Sequence, residues 1–169
     1  VYTEEAAEGA SEEGEDGAAA MDVGPPPPAP MEIVFSFDTT GSMSACLQEV
    51  QGQLVNIIQR LFSDLPALKI ALIAHGDYCD EREFYTLKSI DFTNDIDALC
   101  DFVNNAAGGT GGGDWEECYE LALHTARMLN WSPGTQRSLV MIGDAIPHTP
   151  DYHLNTKNLN WEVEVDNMY

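Results

Sequence analysis

The stretch EIVFSFDTTGS, residues 32–42, decides the fold, because a mostly apolar run ends abruptly at an acid. Residues 32–37 are rich in β-branched and aromatic types, which is typical of a strand buried on both faces of a sheet. Asp38 follows this run, and the next four residues are hydroxyl-bearing or glycine. A helical pattern begins directly afterwards, so this junction combines a strand end, a polar loop and a helix start.

Strand-like and helix-like patterns alternate along the rest of the chain. Apolar residues between positions 46 and 61 recur at three- and four-residue spacing, which predicts an amphipathic helix. Residues 68–77 and 137–144 have the composition of buried strands, whereas residues 81–92 mix charge with aromatics, as expected of an antiparallel edge strand. Three further helical segments are predicted at residues 95–106, 115–129 and 155–169.

This alternation predicts an α/β fold that is Rossmann-like and doubly wound. We expect a mostly parallel sheet with one antiparallel edge strand and helices on both faces. Thr93 or Asn94 is predicted to cap the helix at 95–106, and Asp114 the helix at 115–129. Ligands of such folds bind at the carboxyl ends of the strands, so the polar loops there are the candidate site.

Charge narrows the classes of partner. The 169 residues contain 29 Asp and Glu against 7 Lys and Arg, a formal charge of −22. This balance argues against binding to nucleic acid or anionic lipid and suits a cation or a basic partner. Residues 1–30 carry acids but no base and include prolines 25–28, which predicts a disordered acidic, proline-rich arm before a domain at residues 31–169.

Location follows from the apolar runs and the cysteines. No apolar run in the sequence is long enough to span a bilayer, so no membrane insertion is expected. The four cysteines are scattered without a CxxC pair, which favours reduced thiols and an intracellular, cytoplasmic protein. No pattern indicates an oligomeric state.

Oxygen-bearing side chains are concentrated in three loops at the predicted ligand-binding edge. Hard cations such as Mg²⁺ take oxygen ligands, and alternate residues of an Asp-x-Thr-x-Ser loop can point the same way. Two carboxylates would balance the charge of the ion, while hydroxyls add ligands without adding charge. The sequence therefore predicts a Mg²⁺ or Mn²⁺ site built from Asp38, Thr40, Ser42, Thr110 and Asp144.

The same segments resemble a known family. DTTGSM, TGGGDWEE and IGDAIPH resemble the three metal-site segments of the von Willebrand factor type A (vWA) domain, whose metal-ion-dependent adhesion site (MIDAS) begins Asp-x-Ser/Thr-x-Ser. The resemblance implies a vWA-like domain in which Thr40, Ser42 and sometimes Thr110 contact the ion, and Asp38 and Asp144 act largely through water. It also implies that the ion accepts an acidic residue of a protein partner.

The resemblance carries two further expectations. ALIAHGDYCDE and GDAIPHTPDYH are most similar to the intracellular branch that includes vWA domains joined to alpha-kinases. The family fold continues with another strand, helix and strand, which implies that the last strands of the domain are missing from residues 31–169. We also expect five residues to line the position of the partner: Thr39, Gly41, Gly112, Asp114 and His148.

Several of these residues also have a purely structural interpretation. Asp38, Thr40 and Ser42 are favoured helix-capping residues, and the glycine loop lacks the Gly-Lys-Ser/Thr ending of a P-loop. The acids at 77, 80, 81 and 83 are expected to form a solvated loop. The three tryptophans are expected to pack in the core: Trp115, Trp131 and Trp161.

Two functions from different classes remain. The first is a metal-dependent protein-binding module without enzymatic activity. The alternative is a metal-assisted phosphoryl-transfer or hydrolytic enzyme, with His75, His148 or Asp114 as its base, or a targeting domain of a larger enzyme such as an alpha-kinase. The chain has no Gly-x-Ser-x-Gly elbow that would make Ser42 a nucleophile.

Overall fold

The computed structural model describes residues 29–65, 67–82, 84–106 and 114–168. The predicted disordered arm lies almost entirely outside these ranges, as do Thr110 and Gly112 of the glycine loop. The strands are β1 Met31–Asp38, β2 Leu68–His75, β3 Leu87–Thr93, β4 Glu116–Glu117, β5 Gln136–Ile142 and β6 Ile146–Pro147. The helices are α1 Leu47–Asp64, α2 Ile96–Asn104, α3 Tyr119–Met128 and α4 Trp161–Asp166, with 3₁₀ turns at Gly41–Ala45 and Tyr78–Arg82.

Four strands form the main sheet, in the order β3–β2–β1–β5. β1 pairs in parallel with both β2 and β5, whereas β2 pairs antiparallel with β3. Every residue of β1 after Met31 is buried, as expected of a central strand with both faces covered. The predicted mostly parallel sheet with one antiparallel edge strand is confirmed.

Helices cover both faces of this sheet, and alternate residues of β1 contribute to two different cores. On one face, Phe35 belongs to a cluster with Leu54 of α1 and Leu99 of α2. On the other face, Val34 lies in a smaller cluster with Ala122 of α3. The period of two along the strand thus divides a continuous apolar run between two helical layers.

The edge strand is shorter than predicted. Residues 81–92 were expected to be extended, but β3 begins only at Leu87 because the 3₁₀ turn Tyr78–Arg82 occupies the first part of this segment. The backbone N–H of Gly76 donates to the Thr86 carbonyl, which brings the end of the turn back to β2. The link between β2 and β3 is therefore folded rather than extended.

Two helix starts also differ from prediction. Asp95, and not Thr93 or Asn94, caps α2 by accepting a hydrogen bond from the Ala98 N–H at 3.0 Å. The last helix begins at Trp161 instead of near residue 155, because the Asn160 side chain caps it. In both cases the residue with the better placed side-chain oxygen sets the start of the helix.

The segment before α3 differs most from the structure that the sequence predicts. Asp114 does not cap this helix, which starts four residues later than predicted, after Cys118. Glu116 and Glu117 instead form β4, which pairs in parallel with β6. Trp115 was expected to pack in the core, but 89% of it is exposed.

Among the described residues, no helix is both long and apolar enough to cross a membrane.

Docking of α4 depends on a nearly buried acid. Arg127 of α3 donates from Nε to Glu164 Oε2 at 2.8 Å, and His124 Nδ1 lies 3.3 Å from the same oxygen. Replacing Glu164 with Gln removes the charge that these groups face. We expect Glu164→Gln to lower the free energy of unfolding in urea by about 1–3 kcal/mol, the scale of hydrogen bonds to charged groups.

The matched control is Asp64→Asn, which breaks the exposed pair between Arg60 and Asp64. Exposed pairs of this kind contribute little, so this variant should change the stability by less than about 0.5 kcal/mol. Equal effects of the two substitutions would contradict the assigned role of Glu164 in holding α4 against α3.

Candidate metal centre

The register of the sheet brings three chain segments to one edge. Asp38, the last residue of β1, pairs with His75, the last residue of β2. On the other side of β1, Phe37 pairs with Ile142, the last residue of β5. Because the three strands are parallel, the residues that follow them emerge side by side at their carboxyl ends.

Four predicted metal residues are joined by hydrogen bonds at this edge. Thr40 Oγ1 donates to Asp38 Oδ1 at 2.7 Å and lies 3.3 Å from Ser42 Oγ. Ser42 Oγ in turn donates to Asp144 Oδ1 at 2.8 Å, although the two residues are 102 positions apart. The structure therefore brings Asp38, Thr40, Ser42 and Asp144 together; Thr110, the fifth predicted member, falls in the range 107–113, outside the described chain.

These oxygens do not cap a helix. Thr40 immediately precedes the 3₁₀ turn Gly41–Ala45, but its side chain makes no capping hydrogen bond there. Its backbone N–H donates instead to Asp38 Oδ1 at 2.8 Å, which turns the chain back toward the strand end. Helix α1 begins only at Leu47, after Cys46, whose side chain does not cap it either. The capping interpretation of this loop is wrong.

The Asp38 carboxylate is fixed by a residue from α3. Asp38 is fully buried, and its Oδ2 accepts a hydrogen bond from the Tyr119 hydroxyl at 2.8 Å. The same hydroxyl accepts from the Ala145 N–H at 3.3 Å, which connects the loop after β5. Gly143 makes room for this arrangement, because a Cβ there would overlap the Tyr119 hydroxyl. Tyr119 lies in the segment 115–129 that the sequence predicts to be helical, and no sequence pattern indicates a role for its hydroxyl.

The spacing and chemistry of the four residues fit a hard divalent cation. Neighbouring ligands of an octahedral Mg²⁺, with bonds of about 2.0–2.1 Å, stand about 2.9 Å apart. The measured separations of 3.3 Å between Thr40 and Ser42 and 2.8 Å between Ser42 and Asp144 bracket that value. Ser42 and Asp144 are exposed, whereas Asp38 and Thr40 are buried, so the oxygens lead from the strand end to solvent.

Buried acids surround this edge, contrary to the prediction of a solvated acidic loop. Asp77, which directly precedes the 3₁₀ turn Tyr78–Arg82, is fully buried, and Asp80 within the turn is 3% exposed. Glu81 is exposed as predicted, and position 83 lies outside the described ranges. The acids nearest to β2 therefore belong to the interior of the site.

The crowding of buried acids at this edge shifts the pKa of Glu117. Burial raises its pKa to about 8, and the charges of Asp77 and Asp38 act in the same direction, while a hydrogen bond with Thr40 opposes them. Within the described ranges, three ion pairs of Arg and Lys lie away from Glu117: Arg60–Asp64, Lys69–Glu32 and Arg127–Glu164. Negative charge thus accumulates at the strand ends, where a cation would stabilise it.

The predicted partner-lining residues are distributed over two environments. Thr39 is buried, donates to the His75 carbonyl and bonds the Tyr85 hydroxyl, while Gly41 begins the 3₁₀ turn and is half-buried. Asp114 and His148 lie together instead, in a group with Asp77. Gly112 is beyond the described chain.

His75 is buried at the same edge but cannot exchange protons readily with solvent. Its Nδ1 lies 3.0 Å from Ser36 Oγ, and its ring packs edge-on against Tyr119. Burial lowers the pKa of His75 to about 4, although the charge of Asp38 acts in the opposite direction. The imidazole is therefore neutral and enclosed at physiological pH.

Comparison with solved structures shows the fold. Two crystal structures of the pilus adhesin SpaC from Lactobacillus rhamnosus GG, one in an open conformation, match with TM-scores of 0.57 and 0.56 at 16% identity. The matches cover 72% of this chain and 15% and 16% of the adhesin chain, so this chain spans a small part of the adhesin's length. No protein-family model and no curated protein matches the sequence. The likeness supports a vWA-like fold.

The raised pKa of Glu117 predicts how stability depends on pH. Between its usual value of 4.5 and about 8, the folded state holds a proton that the unfolded state has lost. Stability from this residue is therefore complete below about pH 4.5 and is lost as the pH rises through about 8. We expect urea unfolding in EDTA to show a decline from pH 5 to 9 that is smaller in Glu117→Gln.

The neighbouring Glu116→Gln, which alters the other residue of β4, is the matched control and should retain the decline of the wild type. An identical pH profile for Glu117→Gln and the wild type would show that Glu117 does not titrate in this environment.

Proposed function

We propose that this chain is a divalent-metal-dependent protein-binding module of the vWA type, with residues 31–169 as the domain. Mg²⁺ or Mn²⁺ would be held by Asp38, Thr40, Ser42, Thr110 and Asp144 and would accept an acidic side chain of a protein partner. The observation that carries the proposal is the hydrogen bond from Ser42 to Asp144, which joins the loops after β1 and β5 into one oxygen-only cluster.

Each residue has a distinct part in this proposal. The buried Asp38 and the exposed Asp144 would balance the charge of the ion, whereas the Thr40 and Ser42 hydroxyls would bind without adding negative charge. Tyr119 orients Asp38 by its 2.8 Å hydrogen bond. A cation held mainly by neutral oxygens keeps enough positive charge to attract a carboxylate from outside.

Exposed apolar side chains near this edge favour a protein partner over a small anion. Trp115 is 89% exposed and Ile146 59% exposed. They are close in the structure, because Glu116, which follows Trp115, pairs with Ile146 between β4 and β6. Exposed aromatic residues of this kind often contribute most to the affinity of protein interfaces.

The geometry disfavours two of the three bases that the enzymatic alternative would use. His148, one of the predicted bases, is buried and its Nε2 lies 2.6 Å from Asp77 Oδ1. Burial by itself would lower the pKa of His148, but the Asp77 hydrogen bond and nearby acids raise it above the usual value, so this side chain is a poor base at neutral pH. His75 is enclosed and hydrogen-bonded, as described above.

The setting is proposed to be intracellular, as in the branch that the sequence resembles. All four cysteines are free: Cys46, Cys79, Cys100 and Cys118. Free thiols suit a reducing compartment. In that setting the module would serve as the targeting part of a larger enzyme such as an alpha-kinase, which is an alternative that the sequence leaves open.

Metal titration and peptide binding test the proposal together. We expect the wild type to bind one Mg²⁺ or Mn²⁺ by calorimetry, and Ser42→Ala and Asp144→Asn to weaken binding by about tenfold or more. Ser44→Ala is the matched control, because Ser44 is an exposed serine of the same turn outside the oxygen cluster. Its metal affinity should equal that of the wild type.

The second half of the experiment uses an immobilised library of peptides that each carry one Asp or Glu, with Asn or Gln counterparts. Binding should require both the metal and the peptide carboxylate, and should be lost in EDTA and in Ser42→Ala. Peptide binding that persists in EDTA, or that is equal for acidic and amide peptides, would contradict the proposed mode of recognition.

A further inference from the structure

We propose that Asp77, Asp114 and His148 form a second cation site, which takes a zinc ion. It lies beside the oxygen cluster but shares no residue with that set, and it does not depend on the binding function proposed above. The three residues follow different elements: Asp77 comes after β2, Asp114 precedes β4, and His148 follows β6. A zinc ion here would tie these three segments together.

The three side chains are already close enough to share an ion. Each offers one ligand atom, and these atoms lie within 4.8 Å of one another. His148 Nε2 and Asp77 Oδ1 are 2.6 Å apart. Asp77 and His148 are buried and Asp114 is exposed, so the group has a closed side and a side open to solvent.

An unsatisfied buried oxygen points to a missing ligand at this place. Asp77 is fully buried, and its Oδ2 has no hydrogen-bond partner in the part of the chain that the structure describes. Because Oδ2 belongs to the same carboxylate as Oδ1, it lies next to the contact with His148. The Cys79 thiol and the Tyr78 backbone N–H lie near this carboxylate, but neither makes a hydrogen bond of ordinary geometry with Oδ2. Buried carboxylate oxygens normally have partners or bind metal ions.

Surrounding groups hold the imidazole in place. The Tyr152 ring stacks on the His148 ring at 3.8 Å with an interplanar angle of 9°. The backbone N–H of His148 donates to Glu120 Oε2 at 3.1 Å, and the Tyr78 hydroxyl donates to the other oxygen of this acid at 2.8 Å. Such outer contacts fix ligand orientation in metal sites.

The set of ligand atoms selects zinc over magnesium. One imidazole nitrogen with two carboxylate oxygens suits Zn²⁺, whereas Mg²⁺ prefers oxygen ligands alone. Three protein ligands and an open side match the zinc sites that keep a position for water or another ligand. With bonds of about 2.0–2.2 Å, tetrahedral ligands stand about 3.3–3.6 Å apart, so the pair of Asp77 and His148 would open and the exposed Asp114 would move closer.

Zinc affinity measured by competition with a chromophoric chelator tests this site on the full 169-residue chain after removal of metals. We expect one Zn²⁺ to bind, and Asp114→Asn and His148→Gln to weaken binding at least about tenfold, the scale seen even for outer-shell substitutions. Asp114 is exposed, so its variant keeps the test valid if the buried His148 variant fails to fold. Circular dichroism checks the fold of each variant.

Three controls separate this site from other sources of binding. Asp151→Asn alters a nearby exposed acid and should leave zinc affinity unchanged, as should Ser42→Ala in the oxygen cluster. Cys79→Ser should also retain binding, and the Co²⁺-loaded protein should show no thiolate charge-transfer absorption. Absence of Zn²⁺ binding, equal affinity of Asp114→Asn and wild type, or loss of binding in Cys79→Ser would each overturn the proposal. Each of these results would leave the expected Mg²⁺ binding at the oxygen cluster unchanged. The zinc proposal can therefore fail while the proposed protein-binding function stands, and the reverse also holds.

Discussion

The buried carboxylate of Asp38 is the constraint on which this end of the molecule depends. It ends the central strand, and its two oxygens accept hydrogen bonds from groups of separate chain segments. Thr40 satisfies Oδ1 from the following loop, and Tyr119 satisfies Oδ2 from α3. Because β1 pairs with β2 and β5 on either side, this one acid sets the positions of the loops that leave all three strands.

The second feature of this edge is its unusual electrostatics. Buried acids gather at the strand ends, and the partners recorded for them are mainly hydrogen-bond donors such as Tyr78, Tyr119 and His148. The raised pKa of Glu117 is a measure of the cost of this arrangement. Cations bound at two places, one oxygen-only and one containing imidazole, would explain why a fold retains so much buried negative charge.

Local patterns in the sequence predicted the fold and part of the site. The uninterrupted apolar run of β1 indicates a central strand, and parallel pairing then brings Asp144 to Ser42 across 102 positions. The contact of Asp77 with His148 could not be predicted, because both residues lie in polar segments that resemble solvated loops. Asp77 is followed by the 3₁₀ turn Tyr78–Arg82, and the Tyr152 ring stacks on His148, and the sequence pattern indicates neither arrangement.

The central claim is that the oxygen cluster of Asp38, Thr40, Ser42 and Asp144 binds a divalent cation. Anomalous diffraction from crystals grown with Mn²⁺ tests it most directly, because the signal locates the ion without reference to activity. The account predicts a peak within bonding distance of the Thr40 and Ser42 hydroxyls, with the direct hydrogen bond from Ser42 to Asp144 replaced by coordination. An absent peak at saturating Mn²⁺, with that hydrogen bond intact, would contradict it.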